Sequence, residues 1–120
     1  MQTALKYGTL VLKILLTLAF GAAGTFKLIG NPDMVAVFDA IGWGQWFRYL
    51  TGAIEVGAVV LLWVPGRQAI GAALLVATMI AAVAFHLLVL GPSALPALVL
   101  GVLSAAVLYV HRDQAARLTA

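Results

Sequence analysis

Apolar positions along the chain do not alternate with polar ones; they run in four long blocks, each closed by a short cluster of glycine, proline or charge. The first block extends from Tyr7 to Ile29 and stops at Gly30-Asn31-Pro32, where glycine accepts a left-handed helix cap and proline cannot continue the helix. The second, Trp46 to Val64, closes at Pro65-Gly66-Arg67-Gln68, a turn short enough to join only antiparallel neighbours. The third, Ala69 to Leu90, ends at Gly91-Pro92. The fourth, Ala94 to Val110, carries Pro96 in its first turn, where a missing N–H does least harm, and leaves at His111-Arg112-Asp113. Blocks of roughly 17 to 23 residues suit helices crossing a hydrocarbon core of ~30 Å, whereas barrel strands would alternate in polarity. Between the first two blocks, Met34, Val37, Phe38 and Ile41 fall at i, i+3, i+4 and i+7, which predicts a short helix lying along the interface, capped by Asp33 and ended by Gly42.

The pattern therefore predicts an all-α fold: an antiparallel integral membrane four-helix bundle forming one domain over residues 1–120, with a short interfacial helix between spans 1 and 2. Any single run could be the buried helix of a soluble bundle, but four in succession argue against it. Composition agrees, since 64% of residues are hydrophobic and 9% charged, against about 25% charged in soluble domains. Lys6, the apolar stretch after it and Gly21-Ala22-Ala23-Gly24 imitate a signal peptide, yet the run continues to Ile29, which favours a retained first span. Lys6, Lys13, Arg67, Arg112 and Arg117 fall at one set of span ends and Lys27 and Arg48 at the other, so both termini are expected in the cytoplasm. Trp43, Trp46, Phe47 and Tyr49 would then mark the outer interface, and Tyr7, Trp63 and Tyr109 the inner one. Small residues at helix-packing spacing, Gly21 with Thr25, Ala53 with Gly57 and Gly101 with Ala105, are candidates for close helix contacts.

Charge and motif content narrow the chemistry. The net charge of +3 is scattered without a basic run, which argues against nucleic-acid binding. The absence of cysteine excludes thiol nucleophiles, disulfide exchange and cysteine-held zinc or iron–sulfur centres, so any redox role must borrow its electron carrier. No GxSxG, Walker loop or GxGxxG occurs. One His, one Glu and a distant Asp39 lack the HExxH or paired-His spacing of a metal centre, so no metal site is expected.

An ionisable group at the centre of a membrane helix costs roughly 2.5 to 3.5 kcal/mol, so each one needs a reason. Lys13 lies near the inner boundary and can snorkel to the headgroups. Glu55 sits near the middle of the second span, Lys27 in the last turn of the first, and His86 one turn before the end of the third. Arg48, Thr51, Gly52 and Glu55 share one helix face, as do Met79, Ala82 and His86, with Thr78 alongside. These positions predict an outward-opening pocket with Lys27, Arg48, Thr51, Glu55, Met79 and His86 as candidate ligand-binding residues, Lys27 and Glu55 forming a charge pair. The competing reading is an ion pair that only fixes helix register. His111, in the exit turn beside Arg112, is expected to be a solvated helix-end residue.

Three stretches, GAAGTFKLIGNPDMVAVFDAIG, WFRYLTGAIEVGAVVLLWVPG and MIAAVAFHLLVLGPSALP, resemble the DoxX family, in particular its short DoxX-like members. The resemblance covers nearly the whole chain and rests chiefly on Lys27 after small residues and on Gly52-Ala53-Ile54-Glu55 in the next span. It implies a four-helix bundle in a bacterial cytoplasmic (inner) membrane and association with redox systems, including thiosulfate–quinone oxidoreduction and oxidative-stress complexes. Larger DoxD-type subunits offer an analogy for quinone contact, although a shared fold does not transfer a reaction. The first functional expectation is a redox-associated membrane subunit, or a binder of a small lipophilic molecule such as quinone, with no covalently bound cofactor. The second is a small-molecule or proton-coupled transporter. The third is an assembly partner without its own chemistry that recruits soluble enzymes to the membrane, redox enzymes among the expected partners, with Arg112 and Arg117 meeting acidic surfaces, and a homo-oligomer is also expected.

Overall fold

In the computed structural model, which describes residues 2–91 and 93–114, the chain is helical and the described residues contain no strand. Helix α1 spans Gln2–Ile29, α2 Pro32–Ile41, α3 Gln45–Leu61, α4 Gln68–Phe85 and α5 Leu95–Val110, and α4 widens into a π-helical turn over His86–Leu90. The four long helices close a ring: α1 packs on α3, α3 on α4, α4 on α5, and α5 returns to α1, while α2 lies against α3 and the π turn. Leu16 and Phe20 from α1, Ala58 and Leu62 from the α3 end, Leu75 and Met79 from α4, and Ala97 and Val107 from α5 fill the core.

Gly24 and Gly52 set the approach of α1 to α3. A Cβ on Gly24 would lie 2.8 Å from Val56 Cγ2 and 3.0 Å from the Gly52 carbonyl, and one on Gly52 would lie 3.0 Å from the Gly24 carbonyl. Gly71 does the same for α4 against α3, where an added Cβ would stand 2.6 Å from the Ala58 carbonyl. The buried small residues differ in phase from most of those that spacing predicts. Gly21 and Gly57 face open space and Ala53 and Thr25 are exposed, so of the three expected pairs only Gly101 is closely packed: a Cβ added there would lie 3.2 Å from Met79 Cβ. Spacing alone identifies a small-residue face; which face is buried depends on how the neighbouring helix crosses it.

The connections follow local chemistry, with adjustments to the expected boundaries. Gly30 at φ +73° ends α1 as anticipated. The cap of α2 is Asn31 rather than Asp33: Asn31 Oδ1 accepts from the Asp33 N–H at 3.0 Å, and Pro32 takes the first helical position, where it needs no partner. Phe38 is the buried member of the predicted α2 face, and Gly42 closes the helix at φ +83°. Helix α3 stops at Leu61, three residues before the expected Val64, because Trp63 and Val64 turn back onto Val60 and Leu61 through their N–H groups. The third block is not a uniform α-helix; its last five residues form the π turn, closed by Gly91 N–H donating to the His86 carbonyl at 2.8 Å.

Helix α1 and the continuous run Gln68–Leu90 are each long and apolar enough to cross a membrane, whereas α3, at 17 residues, and α5, at 16, are shorter. Little of either long run is buried within the protein, and Leu18, Ile80, Leu87 and Leu88 stand exposed on the outside. An apolar exterior of this kind is the surface of a membrane protein, not of a soluble core.

At the end of the bundle away from α2, the C-terminal turn is tied back to α4. Gln114 Oε1 accepts from the Ala69 N–H at 2.9 Å and its Nε2 donates to Gln68 Oε1 at 2.6 Å, so a glutamine from another segment caps α4. Nearby, Trp63 Nε1 donates to Thr17 Oγ1 at 2.8 Å and Lys13 Nζ lies 5.1 Å from the centre of the Trp63 ring. His111 is not the solvated residue expected from its place in the sequence. Its Nε2 is buried without a partner among the described residues, and burial, reinforced by the charge of Lys13, holds the imidazole below its ordinary pKa. Arg112 stacks over Tyr109 and donates to the Tyr109 carbonyl at 2.7 Å. Arg117 lies outside the described residues, as does Pro92.

Candidate functional site

Two helices from opposite sides of the α1–α3 seam supply the charged part of the site. Lys27, in the last turn of α1, reaches Glu55 of α3 with Nζ 2.7 Å from Oε1. The carboxylate is 1% exposed and the lysine 14%, so the pair is shielded and its attraction is little screened. Gly24 makes this geometry available, since a side chain there would press on Glu55 Cβ at 3.1 Å. Lys27 leaves Glu55 incompletely satisfied: Oε2 has no hydrogen-bond partner among the described residues. A buried carboxylate oxygen in that condition is costly and calls for a functional explanation.

The pair stands at the wall of a cavity of about 330 Å³ between α3 and α4, roofed by α2. Ile54, Leu74, Ala77, Met79 and Ala82 make its sides apolar, and Phe38, Phe47 and Phe85 close it toward α2. Those three rings belong to an aromatic cluster with Trp43, which lies 4.9 Å from Phe47 and 5.3 Å from Phe85, centre to centre. On one side the rim, formed by Leu50, Leu74, Ala77 and Ala81, is exposed, so the cavity has a lateral mouth between the two helices.

Polar groups in the wall are few and already oriented. Thr51 donates its hydroxyl hydrogen to the Phe47 carbonyl at 2.7 Å and Thr78 to the Leu74 carbonyl at 2.8 Å. His86 places Nδ1 3.0 Å from the Gly91 carbonyl; a carbonyl only accepts, so Nδ1 carries the proton and Nε2 is left as the free ring nitrogen. The π turn creates this contact, because its wider winding swings Gly91 back under the imidazole. Among the described residues no three of His, Cys, Asp and Glu gather as a metal site would require.

Of the six residues singled out in the sequence, Lys27, Thr51, Glu55, Met79 and His86 line one cavity, and Arg48 does not. Arg48 is 5% exposed and turned toward the end of α1, where its guanidinium donates to the Lys27 carbonyl. It also donates to Gln45 Oε1 at 2.6 Å and lies 4.2 Å from the Tyr49 ring. Gln45 in turn donates to Asp39 Oδ1 at 2.7 Å and the Val35 carbonyl at 3.1 Å. A cation that satisfies the C-terminal carbonyls of α1 is held by the helix end itself, which is why Arg48 is a structural clamp between α1, α2 and α3. Of the apolar wall, the face carrying Met79 and Ala82 follows from helix spacing, whereas Ile54, Leu74, Ala77 and the aromatic roof do not. The i, i+3, i+4 face of α2 is a usable signal for Phe38, while Phe47 reads as an interfacial aromatic and Phe85 carries no signal of its own.

The fold and this site define a class: a small helical membrane protein with a buried lysine–glutamate pair beside an apolar cavity. The model of the DoxX-like family matches residues 11–108, and the chain belongs to that family. No curated protein and no solved structure matched the chain.

Proposed function

We propose that this protein binds a small lipophilic molecule of the quinone type in the α3–α4 cavity and serves as a redox-associated membrane subunit. The observation that carries this reading is the half-paired carboxylate of Glu55 in the wall of an otherwise apolar, ring-lined cavity. A volume of about 330 Å³ lies at the small end of ligand sites and suits a single substituted ring. In the proposed topology α1, α3, α4 and α5 all cross a bacterial cytoplasmic (inner) membrane, with α2 along its outer face and both termini inside, following the distribution of Lys6, Lys13, Arg67, Arg112 and Arg117. The lateral mouth then opens on acyl chains, which gives a ligand with a lipid tail a route that avoids water. Residues 1–120 act as one domain, and Lys27, Thr51, Glu55, Met79 and His86 are the proposed contacts. Electron donors or acceptors would be partner proteins, since the chain has no cysteine to carry electrons itself.

The test is thermal stabilisation of the purified protein in lipid nanodiscs by a short-tailed benzoquinone–hydroquinone couple. Stabilisation is expected in the parent protein, is expected to weaken in Glu55→Gln and is expected to vanish in His86→Ala, in both without loss of the helical spectrum. Equal stabilisation in the parent and both variants would defeat the reading.

A further inference from the structure

The hydrogen-bonding valences left free around the cavity are predominantly acceptors. Glu55 Oε2 is buried and has no partner among the described residues. His86 has committed its Nδ1 proton to Gly91, so in the neutral ring Nε2 offers a lone pair. Thr51 and Thr78 have spent their hydroxyl hydrogens on helix carbonyls and can only accept from a ligand. Among the described residues that line the cavity, only Lys27 retains N–H donors, beyond the one directed at Glu55.

We infer that the cavity selects a neutral ring bearing hydroxyl groups, the hydroquinone form of the ligand, over the corresponding quinone. The inference rests on the ligand class proposed above and concerns which oxidation state of it the site holds. A hydroxyl can donate to Glu55 Oε2 while its own oxygen accepts from Lys27, and so completes both partners of the ion pair. A quinone carbonyl can accept from Lys27 but leaves the carboxylate oxygen as unsatisfied as before, now with water excluded by the ligand. Leaving a buried acceptor unpaired is the larger penalty in such a choice. A cationic amine is a poorer match, because Lys27 already neutralises the carboxylate and would repel it.

Three probes of nearly equal shape separate the possibilities without altering the protein: a short-tailed hydroquinone, its dimethyl ether, and the matching quinone. Binding is measured anaerobically to the protein in nanodiscs, with empty nanodiscs subtracted for partitioning. The hydroquinone is expected to bind roughly tenfold or more tightly than either of the others, since only it can donate. In Glu55→Gln the amide supplies its own donor, and the difference between hydroquinone and quinone is expected to fall below about threefold. Equal binding of all three probes, or tighter binding of the quinone, overturns the inference while leaving the ligand class standing. Failure of all three to bind defeats the ligand class and the inference with it.

Discussion

The two ends of the bundle treat their polar groups differently. At the end away from α2, Gln114 caps α4 and meets Gln68, Trp63 donates to Thr17, and the Lys13 ammonium rests over the Trp63 ring; these polar groups find partners within the protein, and the buried His111 Nε2 is the exception, lining no part of the α3–α4 cavity. At the α2 end, Arg48 and Gln45 knit three helices together, yet directly beneath them Glu55 keeps an oxygen without a partner among the described residues, beside a cavity that the neighbouring side chains do not fill. The contrast separates polar residues that hold helices together from polar residues that remain available, and it locates the functional candidates at the α2 end.

Removing Lys27 should give the largest effect. Lys27→Met leaves the Glu55 carboxylate buried and unpaired, and a loss of about 3–5 kcal/mol is expected from unfolding measured in detergent. Replacing both partners, Lys27→Met with Glu55→Leu, should recover most of that stability and abolish ligand binding. A double variant as unstable as the single one would mean that the pair itself holds the fold, as Arg48 does.

Next in size is the close packing shared by both ends. Gly71→Ala forces a Cβ against the Ala58 carbonyl and should cost about 1–3 kcal/mol, whereas Gly57→Ala, facing open space, should be neutral or stabilising by up to about 1 kcal/mol through helix propensity. Thermal unfolding of the two variants side by side checks the buried phase of α3 directly.

Gln114→Ala removes the cap on α4 and should cost about 1 kcal/mol while leaving ligand affinity unchanged, because it acts at the opposite end from the cavity. A change in affinity would show that the two ends are coupled.

The smallest effect concerns His111. Its folded-state pKa lies below the ordinary value, so the neutral ring is the form the fold prefers. Above about pH 6.5 both folded and unfolded states carry it neutral and the full contribution is present. As pH falls below that point the unfolded state takes up the proton first, and stability declines until the folded pKa is passed. Melting temperature should therefore drop on acidification through this window, and His111→Asn should flatten the drop. An unchanged slope would place the titration elsewhere.

Much of this protein was legible in one dimension. Four apolar blocks with Gly and Pro stops, and a membrane-type composition, fixed the helices because each block must satisfy its own backbone hydrogen bonds in an apolar setting. The i, i+3, i+4, i+7 stripe on the second block placed Arg48, Gly52 and Glu55 on a buried face, since helix periodicity alone decides which side chains share a side. The tertiary structure decided what periodicity cannot encode. It directed Arg48 to the end of α1 instead of into the cavity, where its guanidinium donates to the Lys27 carbonyl that the helix end leaves open. It put Gly24 and Gly71, rather than Gly21 and Gly57, at the seams, because a seam depends on the crossing of two helices. It also wound the end of α4 into a π turn that turns His86 onto Gly91, and thereby determined which nitrogen of that ring is left to meet a ligand.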